Sequence, residues 1–198
     1  MSISSRKRDH VDITLGQDAA YRTSAGFERV RFRHQALPEV DLSEVDTGCT
    51  LLGRRFPFPL FISSMTGGYD GAGDINALIA EFAQHNDLPF GVGSQRVMLH
   101  DPATSASFRI VRDAATDAFI CANIGGAQLI GGLPAKDIRR LVDSIRADAL
   151  IVHLNPLQEL LQADGDHGFR GILKGIEGLV RDCPVPVLAK ETGAGIDG

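Results

Sequence analysis

The stretch IVHLNPLQE, residues 151–159, places four polar side chains directly after an apolar run: His153, Asn155, Gln158 and Glu159. A structural turn needs one such group, so an imidazole, two amides and a carboxylate together indicate chemistry at the exit of a buried strand. A single carboxylate here suits Mg²⁺, which commonly takes one or two protein carboxylates and shares its other positions with phosphate and water. The alternative for Glu159 is that it begins a short helix after Pro156, near the positive end of the helix dipole.

The same arrangement recurs after the other apolar runs of the chain. The residues at these exits are Ser63, Ser64, Met65 and Thr66, then Ser94, Gln95 and Arg96, then Asn123, and finally Lys190 and Glu191. Each alone has a structural explanation, such as a turn, a cap or a surface ion pair, but their recurrence favours a site. The cations Arg96 and Lys190, together with Arg6 and Lys7, suit an anionic ligand, and phosphate is the obvious class.

The elements that must position these residues are strands alternating with helices. The first predicted helix, INALIAEFAQHN, has Asp74 as its expected N-cap. Its expected core face is formed by Ile75, Leu78, Ile79, Phe82 and Ala83. We predict strands over 58–63, 88–93, 117–124, 148–154 and 185–191, and further helices near 103–115, over 135–147 and over 171–182. The strands are continuously apolar, which is typical of a parallel sheet covered by helices on its faces.

Two closures of such a sheet are compatible with this pattern, an open doubly wound sheet and a (β/α)8 barrel. No GxGxxG fingerprint opens the first helix, which disfavours the dinucleotide fold. A full barrel takes about 250 residues and eight strands, whereas this chain has 198 residues and reaches a glycine-rich loop after strand five. We therefore expect the N-terminal part of a TIM-type barrel over 58–198, apparently truncated after about five βα units. An N-terminal extension, 1–57, with a short helix and a hairpin, would precede it and contribute substrate-binding residues.

Composition excludes several other classes of function. The net charge is −5 and no basic stripe follows the first residues, so we expect no nucleic-acid partner. No apolar run approaches the roughly 18 residues of a membrane span, so we expect no membrane association. The cysteines Cys49, Cys121 and Cys183 are scattered and odd in number, which favours reduced thiols and a cytoplasmic protein.

Six stretches in order resemble the type 2 isopentenyl-diphosphate isomerases, which are FMN-dependent barrel enzymes. The stretches are RKRDH (6–10), SSMTGG (63–68), GVGSQR (91–96), ANIGG (122–126), HLNPLQE (153–159) and KETGAGI (190–196). The resemblance implies interconversion of isopentenyl and dimethylallyl diphosphate, with reduced FMN, Mg²⁺ and NADPH as the reductant. It assigns no side chain as catalytic acid or base, a role that would fall to reduced FMN. We also expect the full-length protein to form a homo-oligomer.

The resemblance implies a role for each site residue. Ser63, Ser64, Met65, Thr66, Ser94, Asn123 and Lys190 would bind FMN. Arg6, Lys7, Ser94, Gln95, Arg96, His153, Asn155 and Gln158 would bind the substrate, and Glu159 the metal. Two alternatives stay open: another FMN barrel that oxidises 2-hydroxy acids or dihydroorotate, and an inactive truncated fragment or half-barrel that needs a partner chain.

Overall fold

The computed structural model of the chain describes residues 3–19, 22–24, 26–64, 66–162, 165–193 and 195–196. The segment before residue 57 holds a helix, α1 (Ile3–Gly16), and an antiparallel hairpin of β1 (Cys49–Leu51) and β2 (Arg54–Phe56). Leu52 and Gly53 both have positive φ angles, as the two central residues of a tight hairpin turn require.

A parallel sheet follows, with helices between its strands. Its elements are α2 (Ala72–His85), β3 (Phe90–Gly91), α3 (Arg96–His100), α4 (Ala106–Ala114), β4 (Ile120–Gly125), α5 (Ala135–Ser144), β5 (Ala149–His153), α6 (Pro156–Leu161), α7 (Ile172–Asp182) and β6 (Val187–Lys190). The strand order is β3-β4-β5-β6, in sequence order, and every neighbouring pair is parallel. The predicted α/β class with a parallel sheet is thus confirmed.

The first predicted strand, 58–63, is reduced to a single point of pairing. Ile62 makes an isolated parallel bridge to Phe90. Its backbone N–H donates to the carbonyl of Pro89 at 2.9 Å, and its carbonyl accepts from Gly91 N–H at 2.9 Å. Residues around Ile62 therefore run beside β3 and bring the following SSMTGG stretch to the same edge of the sheet as the other strand ends.

The main core lies between the sheet and the helices. It is built from the outward-facing strand residues, including Phe90, Ile120 and Leu150, and from one face of each of the helices α2, α3, α4, α5 and α7. In the helix predicted over 135–147, Ile138, Leu141 and Val142 of α5 and the following Ile145 recur at helical spacing and are buried. Among the described residues, no helix is long and apolar enough to cross a bilayer.

The predicted core face of α2 is wrong in part: Ala83 is buried and Ile79 packs against the core, as expected, whereas Leu78 and Phe82 do not. The helix begins at Ala72, after Gly71 in a left-handed conformation, so Asp74 lies within the first turn and is not the N-cap. Leu78 and Phe82 are 68% and 55% exposed. The buried side chains of the helix are Ala72, Asn76, Ala80 and Ala83. This small-residue face packs against α4, where Asn76 Nδ2 donates to the carbonyl of Ser107 at 2.8 Å, because small side chains allow the two helices to approach closely.

A second, smaller core covers the other face of the sheet. Phe56 of the hairpin packs there with Phe119, Cys121 and Ile151, and the Phe56 and Phe119 rings meet edge to face at 5.6 Å. Side chains alternate between the two faces of a strand. The residues two positions further along this face therefore stand above the small core, at the carboxyl ends of the strands.

Arg112 of α4 stabilises the opposite edge of the sheet, where the strands begin. Its guanidinium donates to the carbonyls of Ile145, Ala118 and Arg146 at 3.0, 2.8 and 2.7 Å, and to Asp148 Oδ2 at 3.2 Å. Asp148 Oδ2 also accepts from Ile120 N–H at 2.8 Å. A single buried cation thus ties α4, β4 and the start of β5 together.

Candidate functional site

The carboxyl ends of the strands bring the predicted residues together, as expected for a parallel sheet. Gly125 of β4 lies in register with His153 of β5, and His153 with Lys190 of β6. Asn123 lies two residues before Gly125 and on the same face. A cleft of about 180 Å³ opens at this edge. The predicted residues that line it are Lys7, Ser64, Ser94, Arg96, Asn123, His153, Asn155, Gln158 and Glu159.

Unpartnered polar atoms are concentrated at this edge. Among the described residues, six buried side-chain nitrogen or oxygen atoms have no hydrogen-bond partner. Five of them belong to predicted site residues: Ser64 Oγ, Thr66 Oγ1, Arg96 Nε, Asn123 Oδ1 and His153 Nε2. A buried polar group without a partner costs about 1–3 kcal/mol. Such a cluster at one strand edge is therefore best explained by a ligand that supplies the missing partners.

Lys7, on the N-terminal helix α1, places a positive charge in the cleft. Its Nζ donates to the carbonyls of Gly67 at 2.7 Å and Ser94 at 2.6 Å, and lies 5.3 Å from the centre of the Phe108 ring. Burial lowers the pKa of Lys7 to about 8. These neutral acceptors leave the charge uncompensated, which favours an anion beside it. Arg6 lies on the same helix, but its side chain is outside what the structure describes.

Arg96 is held by a residue that the sequence did not predict. Its Nη1 lies 3.1 Å from Asp166 Oδ2, and the same oxygen accepts from Gln128 Nε2 at 2.9 Å. Gln128 lies shortly after β4. A search for polar residues after each strand, extended by one turn, would therefore have included it. Asp166 lies in an irregular loop after α6, where no periodicity marks a residue. His10, three residues after Lys7 on α1, also lines the cleft.

Glu159 is tied into the same network. Its Oε1 accepts from Asn155 Nδ2 at 3.0 Å and its Oε2 from Asp166 N–H at 3.0 Å. Asn155 Nδ2 is also 3.3 Å from Gln158 Oε1. The segment Pro156–Leu161 is indeed a short helix, so Glu159 has a structural role as well as a place in the cleft. No group of three or more His, Cys, Asp and Glu side chains in the described ranges forms a metal centre.

His153 is a neutral imidazole near pH 7. Its pKa is lowered to about 4, first by burial and then by the positive charge of Lys190, with Glu159 and Glu191 opposing the shift. Burial likewise lowers the pKa of Lys190. A neutral His153 can donate from one ring nitrogen and accept at the other, and Nε2 is without a partner.

Gln95 lies beneath the site and not in it. It is fully buried, its Nε2 donates to the carbonyl of Leu141 at 3.0 Å, and its Oε1 accepts from Asn123 N–H at 3.0 Å. The expected contact of Gln95 with substrate is therefore not supported by its position, because both ends of the amide are used by the protein. Ser63 is exposed and does not line the cleft, and Met65 lies outside the described residues.

Two glycines of the site, Gly91 and Gly93, lie where a side chain would collide with neighbouring residues. A Cβ on Gly91 would lie 2.7 Å from Ser64 Oγ and 3.0 Å from Ile151 Cδ1. A Cβ on Gly93 would lie 2.5 Å from the carbonyl oxygen of Thr66. Both positions need the absence of a side chain, because Ser64 lies directly against Gly91 and the Thr66 backbone directly against Gly93. The glycines thereby allow backbone to approach a flat or phosphorylated ligand.

A larger cleft, of about 800 Å³, lies beside the first one. Arg8, Asp70, Asp74 and Asp101 are among its lining residues. None of the unpartnered buried atoms belongs to a residue lining it, among those that the structure describes. Its three carboxylates would repel an anion, so size alone does not make it the better candidate.

Comparison with known proteins points to a flavin family. The family model described as FMN-dependent dehydrogenase matches residues 2–107, more than half of the chain. The chain is 48% identical over all of its length to an isopentenyl-diphosphate delta-isomerase of Chlorobium luteolum, of which it covers 55%. It is 50% identical, over 96% of its length, to the protein of that name from Pseudescherichia vulneris, again covering 55%.

A more distant relative carries the same name. The isopentenyl-diphosphate delta-isomerase of Thermococcus onnurineus is 43% identical over 96% of the chain, which covers 53% of it. The chain thus spans about half the length of the curated relatives that it matches. The family match, the parallel sheet and the cluster of unpartnered atoms at its carboxyl edge agree with one another. The chain belongs to the FMN-dependent dehydrogenase family.

Proposed function

We propose that this protein acts in the FMN- and Mg²⁺-dependent interconversion of isopentenyl diphosphate and dimethylallyl diphosphate. The observation that carries the proposal is the cluster of five unpartnered buried polar atoms at the strand ends, beside the half-buried cation Lys7. Relatives at 43–50% identity that are named for this isomerase support the choice of substrate. The proposal includes a TIM-type barrel for the whole protein and a cytoplasmic location.

The chain's own groups fit a flavin at this edge. Ser64 Oγ, Thr66 Oγ1 and Asn123 Oδ1 lack partners, and Gly91 and Gly93 leave room for a flat ring. We assign FMN binding to Ser64, Thr66, Ser94, Asn123 and Lys190, and to Ser63 and Met65 on the family resemblance alone. When bound, reduced FMN would supply the acid–base group for the allylic proton shift. NADPH as the reductant rests on the family resemblance alone.

The opposite side of the cleft fits a diphosphate. Lys7 and Arg96 supply positive charge, His153, Asn155 and Gln158 supply polar contacts, and Arg6 belongs to the same assignment. Glu159 would hold Mg²⁺, with phosphate oxygens and water completing the shell, because one protein carboxylate is enough for this ion in phosphate sites. Anchoring the diphosphate positions the alkene without adding a side-chain acid or base.

The reaction moves one proton onto the terminal alkene carbon and removes one from the carbon two positions away, so the double bond shifts without net redox change. His153 in its neutral form and Lys7 are partly buried, so their contacts to developing charge are screened less by water than they would be at the surface. The substrate diphosphate provides the remote binding energy for this step.

Proton NMR of isopentenyl diphosphate decides the question. The full-length protein, incubated in D₂O with reduced FMN and Mg²⁺, should form dimethylallyl diphosphate with deuterium incorporated. FMN fluorescence should be quenched on binding. The 198-residue chain should bind FMN more weakly and show little turnover, because it covers about half of its relatives. A full-length protein that neither binds FMN nor forms product would end the proposal.

The family description, FMN-dependent dehydrogenase, keeps open one second candidate, the oxidation of a 2-hydroxy acid that the sequence left as an alternative. Lys7 and the NPLQE segment argue against it, because a 2-hydroxy acid offers one carboxylate for a cation to bind but no diphosphate that would also need a metal-binding carboxylate such as Glu159. Anaerobic mixing of the FMN-loaded protein with lactate or glycolate separates the two. Bleaching of the flavin absorbance would favour the dehydrogenase, and no bleaching is expected.

A further inference from the structure

We propose that Asp166 is an internal counter-ion. It occupies the anion-binding position at Arg96 and must be displaced by the phosphate of a ligand. The inference deepens the proposed function, on whose diphosphate site it rests. It gives Asp166, which belongs to none of the predicted motifs, the role of a residue that tunes affinity and specificity for anions.

The contacts place the Asp166 carboxylate where a phosphate oxygen would lie. Its Oδ2 accepts from Arg96 Nη1 at 3.1 Å and from Gln128 Nε2 at 2.9 Å. Arg96 and Gln128 both line the cleft. An oxygen that accepts from a guanidinium and an amide at the same time has the partners that a phosphate oxygen takes in anion sites.

The ion pair has the features of an exchangeable contact. Among the described residues, Arg96 contacts Asp166 through Nη1 alone, and its Nε is buried without a partner. A permanent structural partner of arginine commonly engages two N–H groups side by side. The Arg96 and Asp166 side chains are also 33% and 37% exposed, so water can reach the pair and screen it. A phosphate, which carries more charge and more acceptor oxygens than a carboxylate, can use the unpartnered Nε as well.

Displacement of Asp166 would also change Glu159. The backbone N–H of Asp166 donates to Glu159 Oε2 at 3.0 Å, so the loop holds one oxygen of the proposed metal ligand. When phosphate replaces the Asp166 carboxylate at Arg96 and the loop moves, this oxygen loses its donor and becomes free to bind a cation. Anion and metal binding should therefore support each other.

Calorimetric titration of the 198-residue chain with inorganic diphosphate, without metal, tests the inference. Asp166→Asn keeps the size of the side chain and removes its charge. It should bind diphosphate about fivefold tighter than the wild type, the scale of one ion pair between half-exposed side chains. Asp166→Ser should behave in the same way. Asp113→Asn, which removes the same charge from the exposed side of α4, is the matched control and should differ from the wild type by less than about twofold.

The outcomes separate this inference from the proposed function. If Lys7→Gln abolishes diphosphate binding while Asp166→Asn leaves it unchanged, the anion site stands and the counter-ion role of Asp166 is wrong. Weaker binding by Asp166→Asn would show that Asp166 assists the ligand, which also overturns the inference. No binding by the wild type and both Asp166 variants would overturn the anion site itself. Binding by an Asp166 variant alone would support the inference in its strongest form.

Discussion

Gln95 and Asn123 are joined by two reciprocal hydrogen bonds. The backbone N–H of Gln95 donates to the carbonyl of Asn123 at 2.8 Å, and the side-chain Oε1 of Gln95 accepts from the backbone N–H of Asn123 at 3.0 Å. The Asn123 side chain then donates from Nδ2 to the carbonyl of Val92 at 3.0 Å, which leaves its Oδ1 without a partner. Gln95 thus fixes the backbone from which Asn123 presents its free oxygen.

Gln95→Met should lower both stability and flavin affinity. The variant keeps the side-chain length but leaves Asn123 N–H without its acceptor, at an expected cost of about 1–3 kcal/mol. Urea unfolding and FMN fluorescence titration measure the two effects. An unchanged stability with a raised KM for isopentenyl diphosphate would instead indicate that Gln95 contacts substrate.

Gly93→Ala should weaken FMN binding much more than it lowers stability. The new Cβ would lie 2.5 Å from the carbonyl oxygen of Thr66, so the Thr66 backbone must move away from position 93. We expect at least about a tenfold loss of FMN affinity, the effect of shifting binding groups by a few tenths of an ångström or more. Gly178→Ala on α7 is the matched control, since the nearest atom there is 3.8 Å away. Equal FMN affinity in both variants would contradict the glycine argument.

Sulfate binding to the 198-residue chain should decrease as the pH rises through about 8. The pKa of Lys7 is lowered to about 8 by burial, so the folded protein loses this charge on going from pH 7 to 9. Sulfate keeps its own charge over this range, which makes it the suitable probe. Lys7→Arg should give a flat profile because arginine stays protonated. A wild-type profile as flat as that of Lys7→Arg would rule out Lys7 as the titrating group.

The same group has a predictable effect on stability. In the unfolded chain the pKa of Lys7 returns to 10.5, so between about pH 8 and 10.5 the unfolded state binds more protons than the folded one. Stability contributed by this group therefore rises with pH across that window. Urea unfolding of the wild type and Lys7→Met at pH 7.5 and 9.5 should show the rise in the wild type only.

Arg112→Met should destabilise the fold by about 3 kcal/mol. It leaves the carbonyls of Ile145, Ala118 and Arg146, and the Asp148 carboxylate, without their donor. The site lies at the opposite edge of the sheet, so flavin binding by the folded fraction should be nearly unchanged. Arg109→Met, at an exposed position of the same helix, controls for loss of charge. Equal urea midpoints for the two variants would show that the buried network contributes little.

Glu159→Gln should remove most of the metal response of isomerisation and leave FMN binding nearly intact. The amide keeps one acceptor for the bonds from Asn155 and Asp166 but cannot supply a charged ligand to Mg²⁺. The measurement is the isomerase rate of the full-length protein against Mg²⁺ concentration. Glu177→Gln on the exposed side of α7 is the control. An unchanged metal dependence would leave Glu159 with only the structural role that its hydrogen bonds show.

The sequence alone was sufficient for the class of fold and for placing the candidate site residues at one edge of the sheet. Alternating apolar runs and amphipathic segments predict a parallel sheet, and the carboxyl ends of parallel strands converge at one edge whatever the loops do. Residues on those ends, such as Asn123 and His153, could therefore be placed together without coordinates. The buried face of α5 was predictable for a similar reason, since its large apolar residues recur at helical spacing.

Contacts between distant segments were decided only by the tertiary structure. Lys7 reaches the carbonyl of Ser94, 87 residues away, and Asp166 reaches Arg96, 70 residues away. A motif gives the type of a residue but not the direction of its side chain. Gln95 and Arg96 are adjacent polar residues of one motif, yet the Gln95 side chain is buried in the core. The buried face of α2 depends in the same way on its neighbour, because the close approach of α4 selects alanines over the larger Leu78 and Phe82. Local periodicity determines which elements form, whereas packing between elements determines which side chains are buried and which contact each other.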